Sequence, residues 1–562
     1  MHFQSAVLVA ALSCLATSSP APRYRRQTGS SSSAELLTDI NAIQQYWGQM
    51  TPYADNAEDY FGVSDVGLPD GCQVEQAHLL QRHGSRFPGS TFDDGPNMAN
   101  FAEKVANWTR THTSSNSSSQ FTGNLTFLNS YQYNIGSAYL TGIGASQSFL
   151  SGVTFWNRYG RILYNATQGQ LAYNATFANG TNRPKLTLRT TSQSRIENTQ
   201  ISWTLGFFGP SFQPTPSETL ANWTSPFNLV VIPEGGTENN TLASYDSCFN
   251  DNELVPGYIG DLDLLSYLPV YLSGAQSRLS QYVPSGFNLT INDTFALQTI
   301  CAYETNYIGR SDFCTLFTED EWAGFENALD IEYYYDYSYG NPTGRAQGIG
   351  YLQELLARLQ DQYITTSTSS VNSSLTNNSR TFPLGQRLYA DFSHDDIIIS
   401  TLTAASLDYL KDPPSLTQFP PDPDRRFILS HLTPFSARLV TEVVGCGSAS
   451  PAPKRVSQTQ YSPTQYGYRP DNATFKFVRM RLNNGILPLS TIRGGYCGNR
   501  TDGLCPLNAF ITSQDSASGL SNYDYVCFGN YSINYPNNGT DYDGTLFSGS
   551  ARRRDFRSAR SW

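Results

Sequence analysis

Apolar and polar positions follow two rhythms along this chain, and together they outline a fold. Short runs rich in apolar and β-branched residues at 73–81, 185–190, 228–233, 387–392, 437–444, 475–482 and 486–490 predict strands. Between them, 3.6-residue periodicity predicts helices at 36–47, 138–163, 195–208, 294–307, 319–333 and 344–359, with another starting near 398. Strands that alternate with helices predict an α/β sheet. Two blocks break the alternation, 92–183 and 251–379, where strand signals are few. They are expected to form an inserted, mainly helical lobe. The α/β part is then assembled from 35–91, 184–250 and 380–530. Residues 364–380 are Ser/Thr/Asn-rich and read as an exposed loop. A Gly/Ser/Arg-rich tail at 531–562 reads as disordered from Asn537 onward. No internal repeat is present.

The first residues change the picture. The apolar run Ala6 to Leu15 is followed by small residues at Ala16-Thr17-Ser18-Ser19, as in a secretory signal peptide at 1–19. It is too short to span a bilayer. Residues 20–34, with Arg25-Arg26 and a Ser-rich stretch, read as a leader. Cys14 would leave with the signal, and the eight cysteines that remain form an even set without paired CxxC spacing. Disulfides are expected rather than a zinc site. Their spacing alone leaves 105 pairings open.

Sixteen Asn-X-Ser/Thr sequons are spread along the chain: Asn107, Asn116, Asn124, Asn165, Asn174, Asn179, Asn222, Asn239, Asn288, Asn292, Asn372, Asn377, Asn472, Asn499, Asn530 and Asn538. That density predicts N-linked glycans, a secreted or wall-associated protein, and solvent exposure at those segments. Formal net charge is -11, with both ends basic; the body from 27 to 550 is near -18 once +3 (three Arg in 1–26) and +4 (five Arg, one Asp in 551–562) are removed. Such a body does not favour nucleic acid, and no membrane partner is expected. A homo-oligomer is left open.

Against that acidic background one cationic segment stands out, Arg82-His83-Gly84-Ser85-Arg86-Phe87-Pro88, at the end of the first predicted strand. A guanidinium offers a rigid fork of donors suited to phosphate oxygens. An imidazole among such forks can attack phosphorus. A second segment has the same layout: the strand at 387–392 ends in Ser393-His394-Asp395 and leads into a helix. Ligands of an open α/β sheet gather at the carboxyl ends of strands, where helix N-termini offer unpaired N–H groups. If the two strands are neighbours, two histidines, two arginines and an acid converge.

Arg-His-Gly-X-Arg-X-Pro early and Ala390-Asp391-Phe392-Ser393-His394-Asp395 late resemble the histidine acid phosphatases, the group of fungal phytases and acid phosphatases. Thr190 to Arg195, Val231 to Gly236, Gly340-Asn341-Pro342 and Thr381 to Gly385 add to the resemblance, which spans roughly 35–530 and is nearest the phytase-B-type branch. It implies a mixed sheet flanked by helices, the phosphoglycerate mutase-like fold, and hydrolysis of phosphate monoesters at low pH without metal or cofactor. It also implies a role for each matching residue. His83 is the nucleophile that becomes phosphohistidine. Arg82, Arg86, Arg195 and His394 bind the phosphate, and Asp395 protonates the leaving alcohol. It further implies the disulfides Cys72–Cys446, Cys248–Cys527, Cys301–Cys314 and Cys497–Cys505.

Bland readings bear on several residues. Arg189, six residues before Arg195, competes with it for the clamp, and Arg195 is preferred because it opens a helix after a Ser-rich turn. His78, His112 and His431 lack motif support and read as structural. Asp396 stands where many relatives have Asn, and could raise the pKa of Asp395 or simply suit the helix N-terminus. Residues 89–106 carry Asp93, Asp94 and Glu103 against a single Lys104, whereas phytate-selective members of the resembled family tend to be lysine-rich around the substrate pocket. Varied monoesters are therefore expected, with phytate left open and a dedicated 3-phytase as the alternative. A glycosylated wall protein that had lost activity, and a mutase-like transferase, are the readings from other classes; the intact motifs and the secretion signals disfavour them.

Overall fold

Strand β1 (Cys72–Arg82) is the hub of the molecule, paired in parallel with β4 (Leu388–Ser393) on one side and antiparallel with β5 (Arg438–Cys446) on the other. The computed structural model describes residues 35–547 except 92–93, 113–116, 178, 210–224 and 236–237. The expected signal peptide and leader, the sequons Asn116 and Asn222, and residues 548–562 lie outside the described residues. With β2 (Leu186–Thr191), β3 (Phe227–Ile232), β6 (Phe475–Leu482), β7 (Gly485–Ile486) and β8 (Cys505–Pro506), the sheet has the order β3-β2-β4-β1-β5-β6-β7, and β8 pairs with β6. The four strands β3, β2, β4 and β1 run parallel, and the remainder add antiparallel pairs. This is the expected mixed sheet. The strand expected at 486–490 is reduced to the two-residue β7.

The helices that matter are α1 (Pro96–Thr111), α2 (Gly142–Phe155), α3 (Ser194–Phe208), α4 (Ile259–Leu279), α5 (Ile291–Ile308), α6 (Glu319–Tyr337), α7 (Gly344–Leu359) and α8 (Asp395–Ala404). Side chains alternate across a sheet, and here the two faces differ in kind. Ala77, Leu79, Leu188, Ala390 and Phe392 line one face and bury Phe155, Trp156, Trp203 and Phe207 from the α2–α3 layer. On that layer a Cβ on Gly152 would lie 2.0 Å from the Trp203 carbonyl oxygen, and one on Gly206 would lie 2.1 Å from that of Phe149. Only paired glycines let the two helix backbones approach so closely.

The opposite face carries charge. Arg189 on β2 forks onto Asp391 on β4, with Nε–Oδ1 at 2.7 Å and Nη2–Oδ2 at 3.0 Å, and also reaches Glu354 on α7 at 2.7 Å. Arg358 of α7 meets Asp391 at 2.6 Å and stacks on Tyr389 at 4.6 Å. Arg189 is thus fully engaged as a structural cation.

Two helices expected in the inserted lobe, α2 and α7, pack on the sheet layers instead, α2 against α3 and α7 against α8. The periodicity showed that they are helices but could not show which neighbour each covers. Helices α1, α4, α5 and α6 do pack together, in a core continuous with Ile397, Ile398 and Leu402 of α8. The tail expectation is also corrected for 531–547. Asn537 donates to Asp263 of α4 at 2.7 Å, and Asp543 pairs with Arg493 at 2.7 Å and Lys411 at 2.8 Å, while Arg345 of α7 donates to the Asp543 carbonyl at 2.6 Å. Low-complexity composition concealed a segment anchored by one carboxylate among three cations. The polar loop at 364–380 is likewise not wholly exposed, for Ser369, Ser370, Val371 and Thr376 are buried.

The four disulfides join Cys72–Cys446, Cys248–Cys527, Cys301–Cys314 and Cys497–Cys505. Of the sequons among the described residues, only Asn372 is half-buried; every other is exposed. No helix among the described residues is long and apolar enough to cross a membrane.

Candidate active site

The four parallel strands deliver their C-terminal ends to one place. Arg82 lies opposite Ser393 in the β1–β4 register, so the next residues, His83 and His394, fall side by side. Their ring centroids are 6.0 Å apart and the planes stand at 80°. Arg195 follows the end of β2 on the first turn of α3, and Glu234 follows the end of β3. The His83 backbone is stitched on both sides, its N–H donating to Ser393 at 3.2 Å and its carbonyl accepting from Ser436 at 2.8 Å.

His83 is buried, and its Nδ1 lies 2.8 Å from the Gly84 carbonyl oxygen. A carbonyl can only accept, so Nδ1 carries the proton and Nε2 keeps its lone pair. Burial holds the imidazole well below its ordinary pKa, aided by the Arg82, Arg86 and Arg195 guanidiniums and by His394. These influences favour the neutral form of the ring.

Gly84 has its own packing reason. A Cβ there would sit 2.3 Å from the Gly144 carbonyl oxygen at the start of α2, and Gly84 N–H donates to Thr199 of α3 at 3.1 Å. Gly84→Ala should cost about 1–3 kcal/mol by overpacking and displace the acceptor of His83 Nδ1. A lowered urea midpoint together with reduced kcat is the expected result; an unchanged pair of values would show that the backbone yields freely.

Three guanidiniums surround the imidazole. Arg82 donates through Nη1 to the carbonyls of Gln49 and of Thr433, the latter at 2.7 Å, and its Nη2 meets Asp395 Oδ2 at 2.7 Å. Arg86 pairs with Asp94 at 2.7 Å. Among the described residues, the Nε atoms of Arg82, Arg86 and Arg195 are buried without a protein acceptor. Unspent buried donors on three cations suit an oxyanion such as phosphate.

His394 caps α8 and directs Nε2 to Glu234 at 3.0 Å, with the Tyr245 hydroxyl at 3.2 Å. Tyr245 donates its own proton to Glu234 at 3.0 Å. Donation from His394 to an anion therefore falls to Nδ1.

Asp395 accepts from the Tyr333 hydroxyl at 2.7 Å. Burial alone would raise its carboxyl pKa, but Arg82, the Tyr333 hydrogen bond, Arg86 and His394 outweigh burial and hold it below the usual range. Asp396 goes the other way, pushed well above that range by burial and by the Asp395 and Asp251 charges. The sequence left open whether Asp396 would raise Asp395; the two carboxyls shift in opposite directions, Asp395 downward under its cations and Asp396 upward under burial and its acidic neighbours.

All six residues singled out in the sequence, Arg82, His83, Arg86, Arg195, His394 and Asp395, are thus brought together. The histidines read as structural have ordinary partners. His78 stacks on Tyr389 at 4.6 Å, His431 on Tyr60 at 4.1 Å, and His112 on Trp108 at 3.9 Å. Tyr333, Tyr245 and Asp94 carried no motif, and Glu234 lay in a recognised segment without an assigned role.

The family model for the histidine phosphatase superfamily (branch 2) matches residues 73–483. The chain belongs to this family. Relatives include Phytase A of Aspergillus oryzae, 30% identical over 414 residues that cover 72% of this chain and 80% of the relative. Phytase A of Aspergillus fumigatus is 29% identical over 462 residues, covering 81% and 90%. The crystal structure of the phytase from D. castellii matches with a TM-score of 0.63 at 22% identity, covering 91% of this chain and 98% of that one. A multiple inositol polyphosphate phosphatase from Bifidobacterium longum, in complex with inositol hexasulfate, matches with a TM-score of 0.50 at 14% identity, covering 83% and 96%. As a histidine phosphatase the protein is a phosphoric monoester hydrolase. These curated relatives carry the A-type name rather than that of the B-type branch suggested by the motifs.

Proposed function

We propose that this histidine phosphatase is a secreted acid phosphatase that hydrolyses phosphate monoesters in two displacements at His83. The observation that carries the reading is the His83 ring, with Nδ1 committed to the Gly84 carbonyl and Nε2 unprotonated among three guanidiniums. The Nε2 lone pair forms an N–P bond as the P–O bond to the alcohol breaks. Arg82, Arg86 and Arg195, with His394 through Nδ1, hold the phosphoryl oxygens as charge moves. Asp395 gives its proton to the departing oxygen, because an alkoxide leaves poorly. Water then attacks phosphorus, the N–P bond breaks, and the water's proton returns to Asp395. A bound phosphate anion offsets the Arg82 charge that depresses Asp395, and in acid the monoester arrives as a monoanion carrying a proton.

Exposed sequons, four disulfides and the N-terminal apolar run support secretion. Inositol polyphosphates fall within the substrate range that the relatives' names suggest. The fate of Lys104 favours breadth over phytate selectivity: it is tied to the Asn288 carbonyl and to Asp293 at 2.5 Å, so the one lysine of the segment 89–106 is already engaged. A dedicated phytase is the second reading, and a kcat/KM for phytate about 100-fold or more above that for simple monoesters would establish it.

Brief mixing with labelled p-nitrophenyl phosphate followed by an alkaline quench should trap label on the peptide bearing His83, stable in base and lost in acid. Label on any other peptide, or none at saturating substrate, would overturn the mechanism.

A further inference from the structure

Asp395 is loaded on one oxygen only. The Tyr333 hydroxyl donates to Oδ2 at 2.7 Å, and Arg82 Nη2 meets the same Oδ2 at 2.7 Å. Among the described residues nothing engages Oδ1. Tyr333 comes from α6, 62 positions away and on the helical lobe rather than the sheet. Its neighbours in the run Tyr333-Tyr334-Tyr335 serve other ends: Tyr334 donates to the Lys411 carbonyl at 2.5 Å, and Tyr335 packs in the lobe core.

We propose that Tyr333 is a positioning residue for the general acid, holding Asp395 Oδ2 as an acceptor so that the transferable proton resides on Oδ1. This rests on the general-acid reading of Asp395. A proton on Oδ2 would face one hydrogen-bond donor and one guanidinium, both of which need an acceptor there. A proton on Oδ1 keeps both contacts and leaves the O–H free to point at a leaving oxygen. The phenol cannot reverse the bond by ionising, since burial and the Asp395 charge hold its pKa well above the ordinary value. The bland alternative is that a buried phenol merely needs some acceptor. A backbone carbonyl would meet that need, as it does for Tyr334, without adding a second donor to an oxygen already paired with arginine.

The charged and titratable groups that face Asp395 are Arg82 and Arg86 from β1 and the loop after it, His394, Asp396 on its own helix, and Tyr333 from α6. Substitution by phenylalanine leaves all but the last in place. Removing a hydrogen bond to the charged form raises the carboxyl pKa, so activity that needs the protonated acid should persist to higher pH.

Tyr333→Phe should lower kcat/KM for an alkyl phosphate such as glycerol 2-phosphate about tenfold, a part of the ~10²–10⁴ that general acids contribute. With p-nitrophenyl phosphate, whose leaving group needs little help, the loss should be about threefold or less. The basic limb of the kcat/KM profile should move upward in pH. The ratio of two substrates on one preparation cancels the amount of folded enzyme, so partial misfolding does not blur the result. In an Asp395→Asn background the same change should alter that ratio no further. Equal losses on both substrates with an unmoved basic limb would overturn the proposal. If instead Asp395→Asn itself loses equally on both, the general-acid reading fails, and that outcome is read from a separate arm.

Discussion

Replacing His83 by alanine should lower hydrolysis of p-nitrophenyl phosphate in acid by ~10⁴-fold or more, as removal of a covalent nucleophile does elsewhere. In the proposed mechanism the ring supplies the atom that bonds to phosphorus, and no other described side chain combines a lone pair favoured to stay unprotonated with three flanking guanidiniums. Stability should change little by comparison. The imidazole makes one hydrogen bond, to the adjacent Gly84 carbonyl, and its loss removes a buried ring that Phe435 and His394 flank at 6.0 Å. Thermal melting of the variant alongside the assay separates the two effects. A correctly folded His83→Ala enzyme that kept appreciable activity would exclude the phosphohistidine route.

The second large effect concerns stability. Asp391→Asn removes the carboxylate shared by Arg189 and Arg358 and leaves Glu354 as the carboxylate partner of Arg189. Breaking a buried ion network in this way costs about 3–5 kcal/mol, visible as a lower urea midpoint. The pH dependence follows from the pKa. Burial would raise the Asp391 carboxyl, but Arg189 and Arg358 prevail and hold it far below the ordinary value. A depressed folded pKa means that the unfolded chain binds the proton first as pH falls. The contribution is therefore complete above the unfolded value of about 3.9, and it is lost only as pH drops toward the folded value. The gap between wild type and variant should stay constant through mildly acidic pH and close below that point. A gap that vanished near neutrality would show that the network does not hold Asp391 ionised. If the protein works in acid, as the proposed function has it, it gains from a core carboxylate whose charge outlasts most others.

The parts of the site that were legible in the sequence are those in which chemistry and chain order coincide. Arg82, His83 and Arg86 lie within five residues at a strand end, and His394 and Asp395 repeat that layout, so the alternation of strand and helix was enough to bring them together. Arg195 could be told from Arg189 by the helix it opens after a Ser-rich turn. The structure gives the physical difference: Arg189 points from β2 into a buried carboxylate pair, while Arg195 lies past the strand end and keeps a free Nε. Tyr333 was not legible, since three consecutive tyrosines on a helix carry no mark of which one faces a carboxylate 62 positions on. The Gln49 and Thr433 carbonyls that seat Arg82 were beyond reach for a similar reason, because backbone acceptors have no residue-type signature. Helix α8 begins at Asp395, earlier than the expected 398, with His394 in the extended N-cap position. The capping position turns a sequence motif into a geometry in which Asp395 stands on the first turn.

The placement of β1 between β4 and β5 has a consequence for how the protein is made. Ala77 pairs with Leu388 and with Glu442, so the central strand leaves the ribosome ~300 residues before its first parallel neighbour. At about 5–20 residues per second that interval lasts roughly 15–60 s. During it a strand that is largely buried in the finished sheet and the unpaired thiol of Cys72 have no native partner, since Cys446 is later still. Twelve of the sixteen sequons, Asn107 to Asn377, are translated in that same window. On the proposed secretory route, carbohydrate would be attached to the nascent chain before its sheet can close, and would keep the waiting strand apart from other chains while it does.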